Sequence, residues 1–411
     1  MSAADPPAPG PTPPPAAEAA GPAEPQRSML RRFLQGDLAS ARVVLGLIVI
    51  GIVFQLQNDR FLSAVNLTNL LLQITATGLI SVGIVYVLLL GEIDLSVGAV
   101  SGVTSALMAV LSVKHGWSPY LAIAAAIAMG AAIGTLQGTL FTTFGIPSFV
   151  ITLAGLLAWQ GLQLYVLGDT GTVNITDPKL VGLANTFYSD TVGWIVAGVV
   201  IVVYAGAGLW GYRRRVSAGL ANQDLVPVIA RIVVLAAAVI AAIAIVNSDR
   251  GLPLAVLILL AFVAGGELLA TRTPFGRHVF AVGGNAEAAR RAGISVHKVR
   301  IACFGICSAM AAIGGIMAAS RLLAVNQSSG GSDLLLLAIA GPVIAGTSLF
   351  GGRGSVWSAL LGALVIGSIS NGMDLLALDS SVKFMVTGGV LLAAVVVDAV
   401  ARRQRQAEGR L

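Results

Sequence analysis

The side chains that could do chemistry are few, and they lie in or beside long apolar runs. The motif GEIDLSVG, residues 91–98, sets Glu92 and Asp94 between two such runs. A second motif, GTSLFGGRG, residues 346–354, carries hydroxyl groups and many glycines. Ionisable groups within a membrane usually mark a solute path or a paired charge, and hydroxyls bind hydrogen-bonding ligands. The two motifs therefore indicate a path for a polar solute.

The predicted path residues come from both halves of the chain. Glu92 is open to a functional role or to pairing with a cation, whereas Asp94 can either line the path or act as the N-cap of a helix that opens at Val97. Neutral amides within apolar runs suit a neutral polyol, but they can equally hold helices together. The residues predicted to line the path are Gln73, Glu92, Asp94, Ser96, Gly98, Gly346, Thr347, Ser348 and Asn371.

The sequence lacks the patterns typical of catalytic or metal centres. Cys303 and Cys307 lie four residues apart on a predicted helix, but all three histidines fall in predicted loops, so the thiols are predicted to pack as small apolar side chains. A phosphate-binding loop needs Lys followed by Ser or Thr, and no lysine in this chain is followed by either. We expect no catalytic residue, metal or cofactor in this chain, so ATP with magnesium, where it is used, would bind to another chain.

The composition identifies the elements that must position these residues. The chain has 411 residues, of which 56% are hydrophobic and 11% charged, and its mean hydropathy is +0.88. This is too little polar surface for a soluble fold, so the chain belongs in a lipid bilayer. The net charge of +6 is explained by basic loops between apolar runs, and nucleic acid is not an expected partner.

The expected fold is all-α, a polytopic transmembrane helix bundle with about 10–12 spans. A tail of Pro and Ala, residues 1–30, is predicted to be disordered and cytosolic, and residues 404–411 are predicted to form a second cytosolic tail after the transmembrane domain 31–403. The excess of Lys and Arg in alternate loops places both termini in the cytosol, together with a basic hairpin at 210–230 and a polar loop at 271–300. The predicted apolar runs are 41–57, 67–90, 97–113, 119–142, 147–167, 192–210, 226–247, 252–270, 300–323, 333–350, 355–375 and 382–399.

The polar loop 271–300 contains a short helix with favourable signals at both ends. Asn285 can cap it, Glu287 lies in its first turn, Arg290 and Arg291 in its last, and Gly293 just beyond. A helix of about two turns is not stable alone in water, so we expect it to dock against a partner protein.

Two segments are expected to interrupt helices, namely 91–98 and 341–354, which is rich in Gly and contains a proline. Their surroundings, 91–107 and 346–360, resemble each other, which indicates an internal two-fold repeat with one interrupted helix near the membrane centre in each half. Interrupted helices are tolerated in a membrane where they line a cavity, so this arrangement favours a transporter.

Four motifs in order resemble one protein family. LLLGEIDLSVG, PSFVITLAGLLAWQG, TRTPFGRHVFAVGGNAEAARRAGI, and AGTSLFGG with the later NGMDLL are similar to the permease subunits of bacterial monosaccharide ABC importers, over about Arg32 to Arg403. Within that group, which serves ribose, xylose, arabinose and related sugars, the residues look most like the xylose-carrying members. The resemblance implies a permease for D-xylose or a related pentose in the bacterial inner membrane; ribose, arabinose or galactose remain alternatives.

The resemblance also implies partners and a coupling element. The partners are ATP-binding cassette subunits, an extracytoplasmic sugar-binding protein and a second permease copy. The family's coupling helix falls on the short helix described above, whose residues would transmit motion from the ATPase. These residues are Gly283, Gly284, Asn285, Glu287, Ala288, Arg290, Arg291 and Gly293.

One departure from the family stands out, because its members usually carry two carboxylates where this chain has Leu335 and Leu337. The residues alone also leave open a self-sufficient secondary transporter or channel, or a membrane scaffold without transport. A secondary transporter would need a coupling-ion site and no docking helix, and a scaffold would not need two interrupted helices.

Overall fold

The computed structural model describes residues 38–219 and 225–407. All of these except Leu38 belong to one compact unit that spans 39–411. The predicted tail 1–30 lies outside the described residues, as do 220–224 of the predicted basic hairpin and 408–411 of the second tail. Residues 404–407 of that tail belong to the last helix.

Apolar helices dominate the described part of the chain, and each of the twelve predicted apolar runs overlaps one of them. Nine described helices are long and apolar enough to cross a bilayer, and three shorter apolar segments accompany them. This confirms the predicted all-α polytopic bundle. The twelve helices are α1 Leu38–Gln57, α2 Ala64–Leu89, α3 Val97–Ala109 with a π-helical end Val110–Lys114, α4 Pro119–Phe144, α5 Ser148–Leu167, α7 Asp190–Ser217, α8 Leu225–Asn247, α9 Leu254–Arg272, α12 Val296–Leu322, α13 Ser332–Ile344, α14 Trp357–Leu375 and α15 Ser380–Ala407.

Short elements connect these helices. The remaining helices are α6 Pro178–Asn185, α10 Pro274–Gly284 and α11 Ala286–Arg291, and the strands are β1 Thr172–Asn174, β2 Phe187–Tyr188, β3 Leu252–Pro253 and β4 Ala324–Asn326. Strand β1 pairs antiparallel with β4, and β2 with β3. Both pairs lie at the end of the bundle opposite α11, because they connect the helix ends farthest from it.

The core lies around α2 and α12. In the most apolar part of α2, 83% of the residues are buried, compared with 6% in α8. Helix α2 therefore lies inside the bundle, while α8 exposes its apolar side chains for contact with lipid.

Glycines bring α4 close to α12. Gly130, Gly134 and Gly138 lie four residues apart on one face of α4, and a side chain on any of them would meet backbone of α12. At Gly134 an added Cβ would overlap the carbonyl oxygen of Phe304. Small residues thus let the backbones of these two helices approach closely, as is common between membrane helices.

The two interruptions differ in part from the sequence prediction. Helix α13 continues through Gly341 and Pro342 to Ile344, so the second interruption begins at Ala345 and not at Gly341. The backbone of Gly341 packs directly on Gly362 of α14, so neither position has room for a side chain.

The first interruption follows a complete helix. Helix α2 has 26 residues, about 39 Å at 1.5 Å per residue, which is enough to cross a bilayer. The break at 90–96 therefore begins at the end of α2, and its expected position near the membrane centre stays a prediction.

Candidate coupling and translocation sites

Helix α11 has the end structure that the sequence predicts. The backbone N–H of Ala288 donates to Asn285 Oδ1 at 2.9 Å, which makes Asn285 the N-cap. At the other end Gly293 has φ +83, and its N–H donates to the carbonyl of Arg290 at 3.0 Å. A left-handed glycine with this bond ends a helix by satisfying a free carbonyl.

The charged side chains of α11 point away from the bundle. Glu287 pairs with Arg290 at 3.1 Å and with Arg291 at 3.3 Å, and the three side chains are 55%, 69% and 80% exposed, respectively. On the opposite side Ala289 is buried in a cluster that includes Val296. Helix α11 thus has one side packed on the bundle and a charged side that is free to meet another protein. Ala288, through its N–H, helps to fix the cap.

The segment before α11 packs on both interruptions. A Cβ on Gly283 would overlap the carbonyl of Leu89 at the end of α2 and would lie 2.8 Å from the N–H nitrogen of Gly352. The N–H of Gly352 donates to that same Leu89 carbonyl at 2.9 Å. Gly284 lies against Gly352 as well. The predicted coupling segment therefore contacts the end of α2 and the loop 345–356 directly.

The two interruptions also contact each other. Gly91 and Gly351 both have positive φ, +75 and +82. A Cβ on Gly91 would lie 3.1 Å from the carbonyl oxygen of Phe350, and one on Gly351 would lie 2.8 Å from the nitrogen of Gly91. Only glycine combines this backbone conformation with so close an approach at little cost. Residues 89–91, 283–284 and 350–352 thus form one glycine junction, the name used for them below.

Glu92 lies next to this junction and is paired. Its Oε1 lies 3.0 Å from the Arg300 guanidinium of α12, and its Oε2 accepts a hydrogen bond from Ser148 Oγ of α5 at 2.8 Å. The Glu92 side chain is 15% exposed. The carboxylate therefore joins the first break to two helices, which agrees with the paired role that the sequence left open.

Asp94 is buried but is not the N-cap of α3, which corrects one of the two sequence interpretations. The N-cap is Ser96, whose N–H and Oγ donate to Asp94 Oδ1 at 2.8 and 2.7 Å. Asp94 lies two positions before the N-cap and bonds to Ser96 itself. Burial raises the pKa of its carboxyl, and the bonds from Ser96 offset part of that effect. Ser96 Oγ also contacts Gln137 of α4.

The second interruption is held by hydroxyl contacts. Thr347 Oγ1 lies 2.6 Å from Ser358 Oγ of α14, and the N–H of Ser348 donates to the carbonyl of Arg353. Gly346 has φ +101. These three predicted path residues thus lie in a loop beside the glycine junction.

Glu267 is a functional candidate that was not predicted from the sequence. Its Oε2 accepts from Ser355 Oγ at 2.9 Å and from the N–H of Val356 at 2.8 Å. It therefore ties α9 to the loop before α14. The available signal was a lone carboxylate near the end of an apolar run.

The remaining predicted path residues lie farther from α11. Asn371 and Asn66 exchange side-chain hydrogen bonds of 2.7 and 3.1 Å between α14 and α2. Asn371 therefore holds two helices together, which is the alternative that the sequence left open. Gln73 lines a cavity between α2, α3 and α12. Gly98 packs against the carbonyls of Gly330 and Gly331 in the loop before α13.

Leu335, one of the two leucines at the family's acidic positions, is 6% exposed. An added Cβ on Gly98 would lie 3.2 Å from its Cβ. Leu337 is half-buried. A carboxylate at Leu335 would be withdrawn from water, so an apolar residue fits this packing.

Within residues 38–219 and 225–407 no group of three or more His, Cys, Asp or Glu side chains is placed to hold a metal ion. Cys303 and Cys307 are buried free thiols on α12, where they pack in the core.

The known proteins that this chain resembles include permease components of transport systems. Residues 66–395 match the family described as branched-chain amino acid transport system / permease component. The xylose transport system permease protein XylH of Escherichia coli (strain K12) is 38% identical over 344 residues, covering 84% of this chain and 87% of the relative. XylH of Haemophilus influenzae is 36% identical, covering 87% and 95%. The ribose import permease protein RbsC of Bacillus subtilis is 32% identical, covering 91% and 97%. No solved structure matches.

Proposed function

Because this chain belongs to the family of transport-system permease components that includes the xylose and ribose permeases, we propose that it carries D-xylose or a related pentose across the bacterial inner membrane. The named relatives are permease proteins and not enzymes, and this chain is likewise a permease. In the proposal ATP is hydrolysed by separate ATP-binding cassette subunits, and an extracytoplasmic binding protein delivers the sugar. Xylose is preferred over ribose because the xylose permeases have the higher identity, 38% against 32%.

The contact between the α10–α11 segment and the glycine junction carries the mechanism. A rigid-body movement of α11 by an ATPase would act on Leu89 and Gly352 through backbone contacts. These residues end α2 and lie in the loop that leads to α14, and both helices contribute to the core. A push on the exposed face of α11 would therefore be transmitted to two central helices without depending on flexible side chains.

The proposed orientation places α11 and both termini in the cytosol. The described residues near α11 include Arg272, Arg277, Lys298 and Arg300, and an excess of Lys and Arg is typical of cytosolic loops. A second permease copy completes the proposed assembly, as the resemblance implies.

The test is uptake of radiolabelled sugar by vesicles that contain this chain with its ATPase and binding protein. We expect ATP-dependent accumulation of D-xylose, with ribose, arabinose and galactose carried at lower rates. Preference for another sugar of this set would change the substrate but keep the importer. Failure to accumulate any of them would contradict the proposed function.

A self-sufficient transporter is the competing function, and one further sample separates it from the importer. Vesicles that contain this chain alone should not accumulate sugar against a gradient. Full accumulation without the ATPase would show that α11 does not serve a nucleotide-driven partner.

A further inference from the structure

A partly open cavity of about 290 Å³ lies in the half of the bundle away from α11. Its walls are α2, α3, α12 and the loop 328–331 before α13. Gln73 lies 16 residues before Leu89 on α2, which is about 24 Å along the helix from the glycine junction. The volume is at the lower end of the range for small-molecule sites, which suits a solute no larger than a monosaccharide.

The lining carries hydroxyl and amide groups with unused hydrogen-bonding capacity. Ser101 and Ser105 donate to the carbonyls of Gly98 and Gly102 at 2.7 and 2.9 Å, so their oxygens remain free to accept. Gln73 and Thr77 line the same cavity, and within the described part of the chain neither side chain makes a hydrogen bond. An amide both donates and accepts, so this set matches the hydroxyl groups of a sugar.

The other lining groups favour a neutral solute with an apolar face. Arg321 and Asp333 contribute one charge of each sign. Ala76 and Ala318 present methyl groups from α2 and α12, which can contact the C–H face of a sugar ring. The lining therefore combines apolar and polar groups and is close to electrically neutral.

The loop that forms one wall of the cavity is fixed in place. Gln163 of α5 donates its Nε2 to the carbonyls of Asn326 and Ser329, both at 2.9 Å. Gly330 packs against the backbone of Gly98 and Gly102 on α3. Strand β4, which precedes the loop, is paired with β1. The wall is thus positioned by three other elements, α5, α3 and β1.

We propose that this cavity is a sugar subsite within a single permease subunit, in which Gln73, Thr77, Ser101 and Ser105 bind the hydroxyl groups of a pentose on its way across the membrane. The proposal rests on the proposed function and adds the position and chemistry of a binding site. It places the site toward the opposite end of α2 from the glycine junction. Motion of α2 would then act directly on one wall of the subsite.

The test fills the cavity and compares a matched change elsewhere on the same helix. Ala318→Leu adds a larger side chain to the cavity, whereas Ala309→Leu makes the same change in an apolar groove beside α4. Nine residues separate the two positions, so they lie on opposite faces of α12. In vesicles with ATPase and binding protein, we expect Ala318→Leu to lower D-xylose uptake about tenfold, because the added carbons occupy space that the sugar would need. Ala309→Leu should keep at least half of the uptake.

Gln73→Leu gives a second measure. Loss of one hydrogen bond is expected to lower uptake about three- to tenfold at saturating binding protein. Assembly with the ATPase is measured for every variant by co-purification. Wild-type uptake by both Ala318→Leu and Gln73→Leu would overturn the subsite.

A labelling experiment decides the matter if Ala318→Leu fails to assemble. Thr77→Cys is treated with a small thiol reagent with and without D-xylose, and Ser248→Cys, exposed at the same end of the bundle, is the control. We expect D-xylose to slow modification of Thr77→Cys but not of Ser248→Cys. An unchanged rate at both would overturn the subsite, whereas a wild-type complex that carries none of the sugars would instead contradict the proposed function.

Discussion

Glu92 contacts α5 and α12 at the point where the chain leaves α2. Its partner Arg300 also stacks over the Phe141 ring of α4, at 4.9 Å from the ring centroid. Both charges are largely withdrawn from water, since their side chains are only 15% and 28% exposed. In that setting the loss of one partner leaves the other charge without compensation, which costs more than the pair contributes.

Glu92→Gln should therefore lower the free energy of unfolding by about 1–3 kcal/mol. The measurement is thermal unfolding of the purified protein in detergent. Glu287→Gln, in the exposed pairs of α11, is the control and should cost less than about 1 kcal/mol. A double-mutant cycle with Arg300→Gln isolates the pair energy. Equal effects of Glu92→Gln and Glu287→Gln would show that burial does not strengthen the pair.

The residues that the sequence could reveal are those governed by local rules. Asn285 was predictable as an N-cap because cap, first turn and last turn lie within nine residues. Glu92 could be singled out as unusual, but its partners Arg300 and Ser148 are distant in sequence. Glu267 was missed for the same reason, since its two donors lie 88 and 89 residues away. Long-range pairing leaves no spacing pattern along one chain.

At the scale of elements, α11 combines stable ends with an exposed charged face. Exchanging Glu287 and Arg290 keeps an internal pair but reverses the surface that a partner meets. It also places each charge at the unfavourable end of the helix dipole, at a cost of about 0.3–1 kcal/mol per charge. That cost is small for a helix held by Ala289 and its cap.

Glu287→Arg with Arg290→Glu is expected to reduce both co-purification with the ATPase and ATP-driven uptake, while the thermal unfolding temperature changes little. The matched control is Asp59→Arg with Arg60→Asp, an exchange of exposed charges at the opposite end of the bundle. Normal assembly and uptake by the α11 variant would exclude this helix as the docking element.

The α4–α12 pair gives a second prediction for elements. Gly134 faces the Phe304 carbonyl so closely that a larger side chain must separate the helices. Gly134→Val should destabilise the protein by about 1–3 kcal/mol through overpacking. Gly161→Val, on α5 where nothing lies within 4 Å of an added Cβ, carries the same change in helix propensity. Thermal unfolding of both variants measures the difference, and similar losses would attribute the effect to propensity alone.

Most elements were predictable from hydropathy because a helix that crosses a bilayer must be long and apolar. The predicted runs 147–167 and 355–375 end where α5 and α14 end. Helix α12 starts at Val296, four residues before its predicted run, since its first turn is polar. Helix α10 was not predicted, although Thr273 caps it and Pro274 occupies its first position. The polarity of that loop concealed a helix with one buried face.

For the whole molecule, the contact between the two interruptions could not be predicted from the sequence. Their similarity indicated a repeat, but the glycine junction joins residues more than 250 positions apart. The cavity likewise draws its walls from α2, α3, α12 and a loop. Gln73 could be named as a polar group within an apolar run, whereas Thr77, Ser101 and Ser105 could not be distinguished from other small residues of the spans.

The order of the long helices determines which ends share a side of the membrane. Successive long helices alternate in direction, so α11 and the second interruption lie at one end, and the strands β1–β4 at the other. Basic residues then decide which end is cytosolic. Arg277, Arg290, Arg291 and Lys298 lie in the described segment around α11, and translocation of such a cluster is disfavoured.

Glu287→Cys should therefore react with a membrane-impermeant maleimide only after intact cells are permeabilised, whereas Ser248→Cys should react in intact cells. Both positions are exposed. The native Cys303 and Cys307 are buried, so the unmodified protein provides the background. Labelling in the reverse pattern would place α11 outside, where it could not meet an ATP-hydrolysing subunit. The proposed coupling would then fail even if the chain still carried sugar, because the energy source and the helix would lie on opposite sides of the membrane.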